Sequence, residues 1–180
     1  MKTLARGFSL IELMTVIVIL SIATTMAMPA FVQWTRNVKV RTVAESVQNG
    51  LRFAKMEAAK RNANVELRFT SAATPGCAST AETSGRNWVV CAGSAALRAG
   101  YGDAGGAGVD ISSDFASVTF NGLGRTTLAN SGQINISNAS GKCETDGGDV
   151  RCLRILVSTG GKLRMCDPKR GSGDPAGCGE

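Results

Sequence analysis

Few side chains in this sequence have the means to do chemistry, and they are unevenly spread. Glu12 is the single charge in an apolar run from Phe8 to Met28. A carboxylate in such a run costs roughly 2.5–3.5 kcal/mol at a bilayer centre, so its presence asks for a cation as partner. Six cysteines, Cys77, Cys91, Cys143, Cys152, Cys166 and Cys178, all follow that run. An even set beyond a membrane span reads as three disulfides in an oxidising compartment. The sequence-adjacent pairing Cys77–Cys91, Cys143–Cys152 and Cys166–Cys178 competes with one that joins Cys152 to Cys166 across a hairpin. Zinc is disfavoured, because there is no histidine and no C-x-x-C pair. Catalysis fails on inventory as well: no Ser or Cys has an obvious base, and phosphate-loop and dinucleotide fingerprints are absent. Asp146-Gly147-Gly148-Asp149 offers two acids at a turn, but such turns are more often solvated loops than calcium sites. The expectation is a chain with no enzymatic activity, no cofactor and no metal.

The elements that position these groups follow from periodicity. Phe8–Met28 spans roughly 32 Å as a helix, the thickness of one membrane crossing. Pro29 interrupts the run, removes a backbone donor and favours a kink or local melting. The helical spacing then resumes with Phe31, Trp34, Val38, Val40, Val43, Val47, Leu51, Ala54 and Ala58 on one stripe. Arg36, Lys39, Arg41, Glu45, Arg52, Lys55, Glu57 and Lys60 cover the other faces, so residues 30–61 form an amphipathic helix whose stripe packs under a sheet. Asn62-Ala63-Asn64 ends it. The two halves together make a helix of roughly 80 Å.

The remainder, 62–180, is β-rich. Val65–Thr70 alternates with Val65, Leu67 and Phe69 inward. Trp88–Cys91, Phe115–Phe120 and Gln133–Ser137 read as strands, the last with Ile134 and Ile136 inward. Arg151–Val157 and Lys162–Cys166 form a hairpin around Gly160-Gly161. Gly100–Gly108 reads as an exposed, mobile loop. The tail from Asp167 has no apolar periodicity and depends on Cys178 for order. The fold class is α+β: a long N-terminal helix, part membrane span and part amphipathic, packed on an antiparallel sheet. The formal net charge of +6 is compatible with nucleic acid without establishing it.

The stretch Gly7-Phe8-Ser9-Leu10-Ile11-Glu12, preceded by Lys2 and Arg6, resembles the class III leader of type IV prepilins and type II secretion pseudopilins. An ordinary secretory signal would not carry Glu12 inside its apolar core. The resemblance implies a pilin-like fold with a lollipop shape, and a leader, residues 1–7, that the prepilin peptidase removes after Gly7. It implies N-methylation of the new terminus at Phe8. It also implies that Glu12 meets the N-terminal amine of a neighbouring Phe8 and sets the register of incoming subunits. Basic residues before the span favour a cytoplasmic N-terminus, which places the head in the periplasm, anchored to the inner membrane before assembly into a pilus or pseudopilus.

The head carries a second resemblance. Val118-Thr119-Phe120-Asn121-Gly122-Leu123-Gly124-Arg125, Arg151-Cys152-Leu153-Arg154-Ile155 and Gly160-Gly161-Lys162-Leu163-Arg164-Met165-Cys166-Asp167-Pro168 are similar to signatures of the GspH/FimT group. That group contains FimT- and FimU-type minor pilins and GspH pseudopilins. In FimT-type pilins a Gly-Arg-x-Arg element and nearby basic residues bind DNA during natural transformation. The corresponding stretch here is Gly161-Lys162-Leu163-Arg164, with lysine for the first arginine, followed by Lys169 and Arg170. Alternation puts Lys162 and Arg164 on one face, about 7 Å apart, a spacing that suits successive phosphates of double-stranded DNA without base readout. The opposing reading is a charged outer face that protects an edge hairpin. The resemblance therefore implies a minor pilin of a type IV pilus, partnered by major and minor pilins, or alternatively a minor pseudopilin of a type II secretion system.

Overall fold

The computed structural model describes residues 8–102, 108–171 and 173–179. The leader with its cleavage point after Gly7, residues 103–107 of the Gly/Ala-rich stretch and Glu180 lie outside the described residues. The chain divides into two compact units between Thr35 and Arg36.

Helix α1, Leu10–Arg61, runs for 52 residues and begins in the first unit. Ser9 caps it: the Glu12 N–H donates to Ser9 Oγ at 3.3 Å, and the Leu13 N–H donates to the Ser9 carbonyl at 3.2 Å. The capping oxygen satisfies a donor that the first turn leaves without a partner. Every residue from Phe8 to Val32 is exposed, and the segment is long and apolar enough to cross a membrane. Pro29 sits inside α1, and the helix continues through it rather than melting.

In the second unit the buried stripe of α1 is Val40, Val43, Ala44, Val47, Gly50, Leu51, Ala54 and Ala58. This corrects the stripe read from periodicity. Phe31, Trp34 and Val38 keep the helical spacing but are 63%, 61% and 44% exposed, because the core begins only at Val40. The helix stops where Asn62 turns left-handed at φ 49°. There the Ala63 N–H reaches the Ala58 carbonyl and the Asn62 N–H the Ala59 carbonyl, the paired bonds of a Schellman end.

Eight strands follow: β1 Val65–Thr70, β2 Asn87–Ala92, β3 Ala95–Gly100, β4 Val109–Ser113, β5 Ser117–Phe120, β6 Gly132–Asn138, β7 Leu153–Val157 and β8 Leu163–Cys166. They form two four-stranded sheets, in the orders β3-β2-β1-β5 and β4-β6-β7-β8. All pairings are antiparallel. Val65, Leu67, Phe69, Ile134 and Ile136 point into a core shared with the helix stripe.

The structure adds two strands, β3 and β4, where none was expected. The stretch expected as an exposed loop from Gly100 is closed at its start, since Gly100 ends β3 and both Gly100 and Gly102 are buried. An added Cβ would lie 2.2 Å from the Trp88 ring at Gly100 and 2.4 Å from the Arg86 carbonyl oxygen at Gly102. Strand β7 begins at Leu153 rather than Arg151, because the Arg151 N–H leaves the ladder and donates to Asn37 Oδ1 of α1 at 2.9 Å.

The cysteines pair in sequence order, Cys77–Cys91, Cys143–Cys152 and Cys166–Cys178, so the cross-hairpin alternative is not the one formed. Cys166–Cys178 clips the tail back onto β8. The tail is also held by Arg164, whose Nη2 donates to the carbonyls of Gly177 (2.8 Å) and Gly179 (2.7 Å). Replacing Cys166 and Cys178 together by serine is expected to cost about 2–4 kcal/mol. Limited trypsin digestion should then cut faster after Lys169 and Arg170 while β1–β7 stays protected. Unchanged cleavage would mean that the Arg164 contacts alone hold the tail.

Candidate functional site

At the N-terminal end the chemistry rests on three successive features of one short stretch. Phe8 is 80% exposed, Ser9 supplies the cap, and Glu12 lies in the first turn of α1 with its side chain exposed. Ser9-x-x-Glu12 is a capping-box spacing, a signal in the sequence that the leader motif overshadows. A carboxylate in the first turn also lies favourably against the positive end of the helix dipole. Because the cap uses the backbone N–H of Glu12, its carboxylate is left available to an outside cation. The Ser and Thr hydroxyls between Leu13 and Thr35 are all turned back onto the helix. Thr15, Ser21, Thr24, Thr25 and Thr35 donate to the carbonyls of Glu12, Ile17, Leu20, Ile22 and Phe31 at 2.7–2.9 Å. That arrangement suits a helix surrounded by hydrocarbon, where an unpaired donor is costly.

In the head, the four basic residues expected to form one patch separate into two kinds. Lys169 pairs with Glu144 at 2.6 Å. Arg170 pairs with Asp174 at 2.9 Å and approaches Asp167 at 3.7 Å. Asp167 is buried and is also bound by Arg151 at 2.6 Å. These ion pairs knit the tail to the Cys143–Cys152 loop. The Asp174 carboxyl is held below its ordinary range by the Ala176 N–H and then by Arg170. A lowered folded value means that its contribution is present above the ordinary aspartate range and fades as pH falls through the lowered value, so Arg170 stays engaged at mildly acidic pH.

Lys162 and Arg164 behave differently. Both line an open groove of about 550 Å³ on the outer face of the second sheet, with Asp114, Gln133, Leu156 and Ser158. Register places Arg154 opposite Cys166 and Leu156 opposite Arg164, so Arg154, Lys162 and Arg164 share that face. None of the three forms an ion pair among the described residues. Arg164 is satisfied by backbone carbonyls, and Arg154 donates to Asn135 Oδ1 at 2.7 Å. Arg151 and Arg154 differ in parity along the chain, so an extended strand can bring only one of them to this face. The pairing that joins Arg154 to Lys162 and Arg164 is set by the hairpin register.

The hairpin turn that presents Lys162 is braced from two sides. Gly161 has φ +79°, and an added Cβ there would lie 2.0 Å from the Gly124 carbonyl oxygen. Lys55 of α1 donates to the Gly161 carbonyl at 2.9 Å, and Thr126 Oγ1 donates to the carbonyls of Ser158 and Thr159. Asp146 and Asp149 sit on the Cys143–Cys152 loop, with Asp149 3.6 Å from Arg36.

A capped apolar helix with an acid in its first turn, continuing as the spine of a two-sheet antiparallel head, defines a pilin-like subunit. The model for the type II transport protein GspH family matches residues 43–161, and that for the prokaryotic N-terminal methylation motif matches residues 2–28. The chain belongs to the GspH family, a group of structural pilins and pseudopilins, and carries a prepilin-type terminus. The fold resembles that of the type IV minor pilin FimU of Pseudomonas aeruginosa in two crystal forms. One gives a TM-score of 0.55 at 19% identity, covering 76% of this chain and 97% of that one. The other gives 0.51 at 18% identity, covering 72% and 97%. No curated protein sequence matches the chain. The family match ends at Gly161, so Lys162, Arg164, Lys169 and Arg170 lie beyond it.

Proposed function

We propose that this chain is a minor pilin of a type IV pilus, anchored in the inner membrane with its head in the periplasm until it joins the filament. The observation that carries this reading is the uncovered apolar start of α1 bearing Glu12, attached to a head that closes its own core. Such a segment needs lipid first and other pilin helices afterwards. On this reading the prepilin peptidase cleaves after Gly7 and the new Phe8 terminus is N-methylated. The Phe8 amine of one subunit then meets Glu12 of the next. A minor pseudopilin of a type II secretion system shares the leader and fold. The disulfide-pinned tail and the likeness to a minor pilin head favour the pilus. Deletion separates the two: loss of pili with exoprotein secretion intact is the expected result, and loss of secretion with normal pili would overturn it.

Contact with DNA is the second reading, and the shared face of Arg154, Lys162 and Arg164 is what favours it. Cations that lack a carboxylate partner can give up water and counterions to phosphates without first breaking an ion pair. Nothing on that face reads base edges, so binding would be independent of sequence. A gel shift with the compact unit 36–180 checks this. Duplex affinity is expected to fall by about tenfold or more between 50 and 200 mM salt if three phosphates are contacted. Arg154/Lys162/Arg164→Gln should abolish most of the binding, whereas Lys169/Arg170→Gln should change it little. The reverse ranking, or binding insensitive to salt, would reject this face.

A further inference from the structure

Phe31 and Trp34 are two large aromatics on one face of α1, with ring centroids 5.9 Å apart. They lie in the same compact unit as the apolar segment, and both are more than three-fifths exposed. No charged residue stands between Glu12 and Arg36. Along a helix rising 1.5 Å per residue, Phe31 lies about 28 Å and Trp34 about 33 Å from Glu12. The hydrocarbon core of a bilayer is about 30 Å thick. Aromatic rings with an apolar body and, for tryptophan, a polar N–H favour the level where hydrocarbon meets headgroups.

We infer that Phe31 and Trp34 form an interfacial anchor on phospholipid, whose seat at one bilayer surface fixes Glu12 at the other. The anchor removes most of the penalty that a carboxylate would meet at mid-membrane. It also holds Glu12 beside the water and headgroups of the opposite face, where an incoming amine can reach it. Apolar length alone does not fix depth, since a helix can slide or tilt at small cost. An anchor one membrane thickness away from the acid does. The four hydroxyls bonded back to helix carbonyls between these two points, those of Thr15, Ser21, Thr24 and Thr25, fit the same placement. The inference rests on the reading of this segment as a membrane span, and its test separates the two.

The test uses the full mature chain from Phe8, reconstituted into phosphatidylethanolamine/phosphatidylglycerol vesicles. Lipids bearing a quencher near the glycerol level or near the acyl end report the depth of tryptophan. Trp88 is 2% exposed in the head core, so the signal lost in Trp34→Phe belongs to Trp34. Quenching of that signal is expected to be roughly threefold or more stronger with the shallow lipid than with the deep one. A chain that floats with the vesicles but whose Trp34 escapes both quenchers, as it would if Trp34 were reserved for another pilin subunit, overturns the anchor and leaves the span standing. A chain that does not float overturns both. For the depth of the acid, a Glu12→Cys variant is alkylated by an impermeant reagent from the cytoplasmic side, the described native cysteines all being disulfide-bonded. Adding Phe31→Ser and Trp34→Ser should change that rate severalfold; an unchanged rate would show that the aromatics do not set the depth.

Discussion

Trp88→Ala is expected to destabilise the head by about 3–5 kcal/mol, the range for removing a large aromatic from a core that cannot collapse. Trp88 lies on β2 and is 2% exposed. Its ring rests on two glycines from different elements. An added Cβ on Gly50 of α1 would lie 2.7 Å from the ring, and one on Gly100 of β3 would lie 2.2 Å away. Helix and edge strand therefore approach Trp88 as closely as backbone can, and neither has a side chain to fill the space that truncation leaves. The converse change, Gly50→Ala or Gly100→Ala, overfills the same place and should cost about 1–3 kcal/mol. Urea unfolding of the 36–180 unit, followed by near-ultraviolet circular dichroism for Gly100→Ala and by backbone signal for Trp88→Ala, measures both. A loss below about 1 kcal/mol for Trp88→Ala would mean that the core repacks and that the glycine contacts are not what positions β3.

Glu12→Ala is expected to leave leader removal largely intact and to reduce filament incorporation by about tenfold or more. Removing one partner of a desolvated ion pair typically costs 3–5 kcal/mol, because the other charge stays unpaired. A pair close to headgroup water should lose less, hence the lower figure. The helix start is not at risk, since the cap uses the Glu12 N–H, which alanine retains. Circular dichroism of the mature chain in detergent should be unchanged. Processing is followed by mobility on gels, and incorporation by immunoblot of sheared filaments. Glu12→Gln keeps the shape without the charge and should resemble alanine if attraction to the Phe8 amine is the cause. Normal incorporation of either variant would remove Glu12 from the assembly reaction.

Much of this was legible in the sequence because local patterns coincide with burial. Val65, Leu67 and Phe69 alternate and are buried; the Gly160-Gly161 turn is where the hairpin reverses. Strand β3, Ala-Ala-Leu-Arg-Ala-Gly, was not legible, since it is an edge strand of small, mostly exposed residues with no alternation to read. Val109 and Ile111 of β4 do alternate, but they follow a Gly/Ala-rich run that reads as a loop. Periodicity also carried the apolar stripe too far toward Phe31, because spacing reports which residues share a face and not whether anything covers it. The basic residues show the same limit in charge. Lys162, Arg164, Lys169 and Arg170 look alike along the chain, and only the fold brings Glu144 to Lys169 and sets Arg154 beside Arg164.

The three disulfides span 14, 9 and 12 positions, and none encloses or crosses another. For a head that crosses the membrane in chain order behind a retained N-terminal anchor, this makes oxidation a matter of timing. Each cysteine's native partner is the next to emerge or the one just before it. A catalyst that joins thiols in order of appearance therefore arrives at the final set without shuffling. Such a subunit would depend on an oxidase during secretion and have little need of an isomerase, since no intermediate has to wait for a distant thiol.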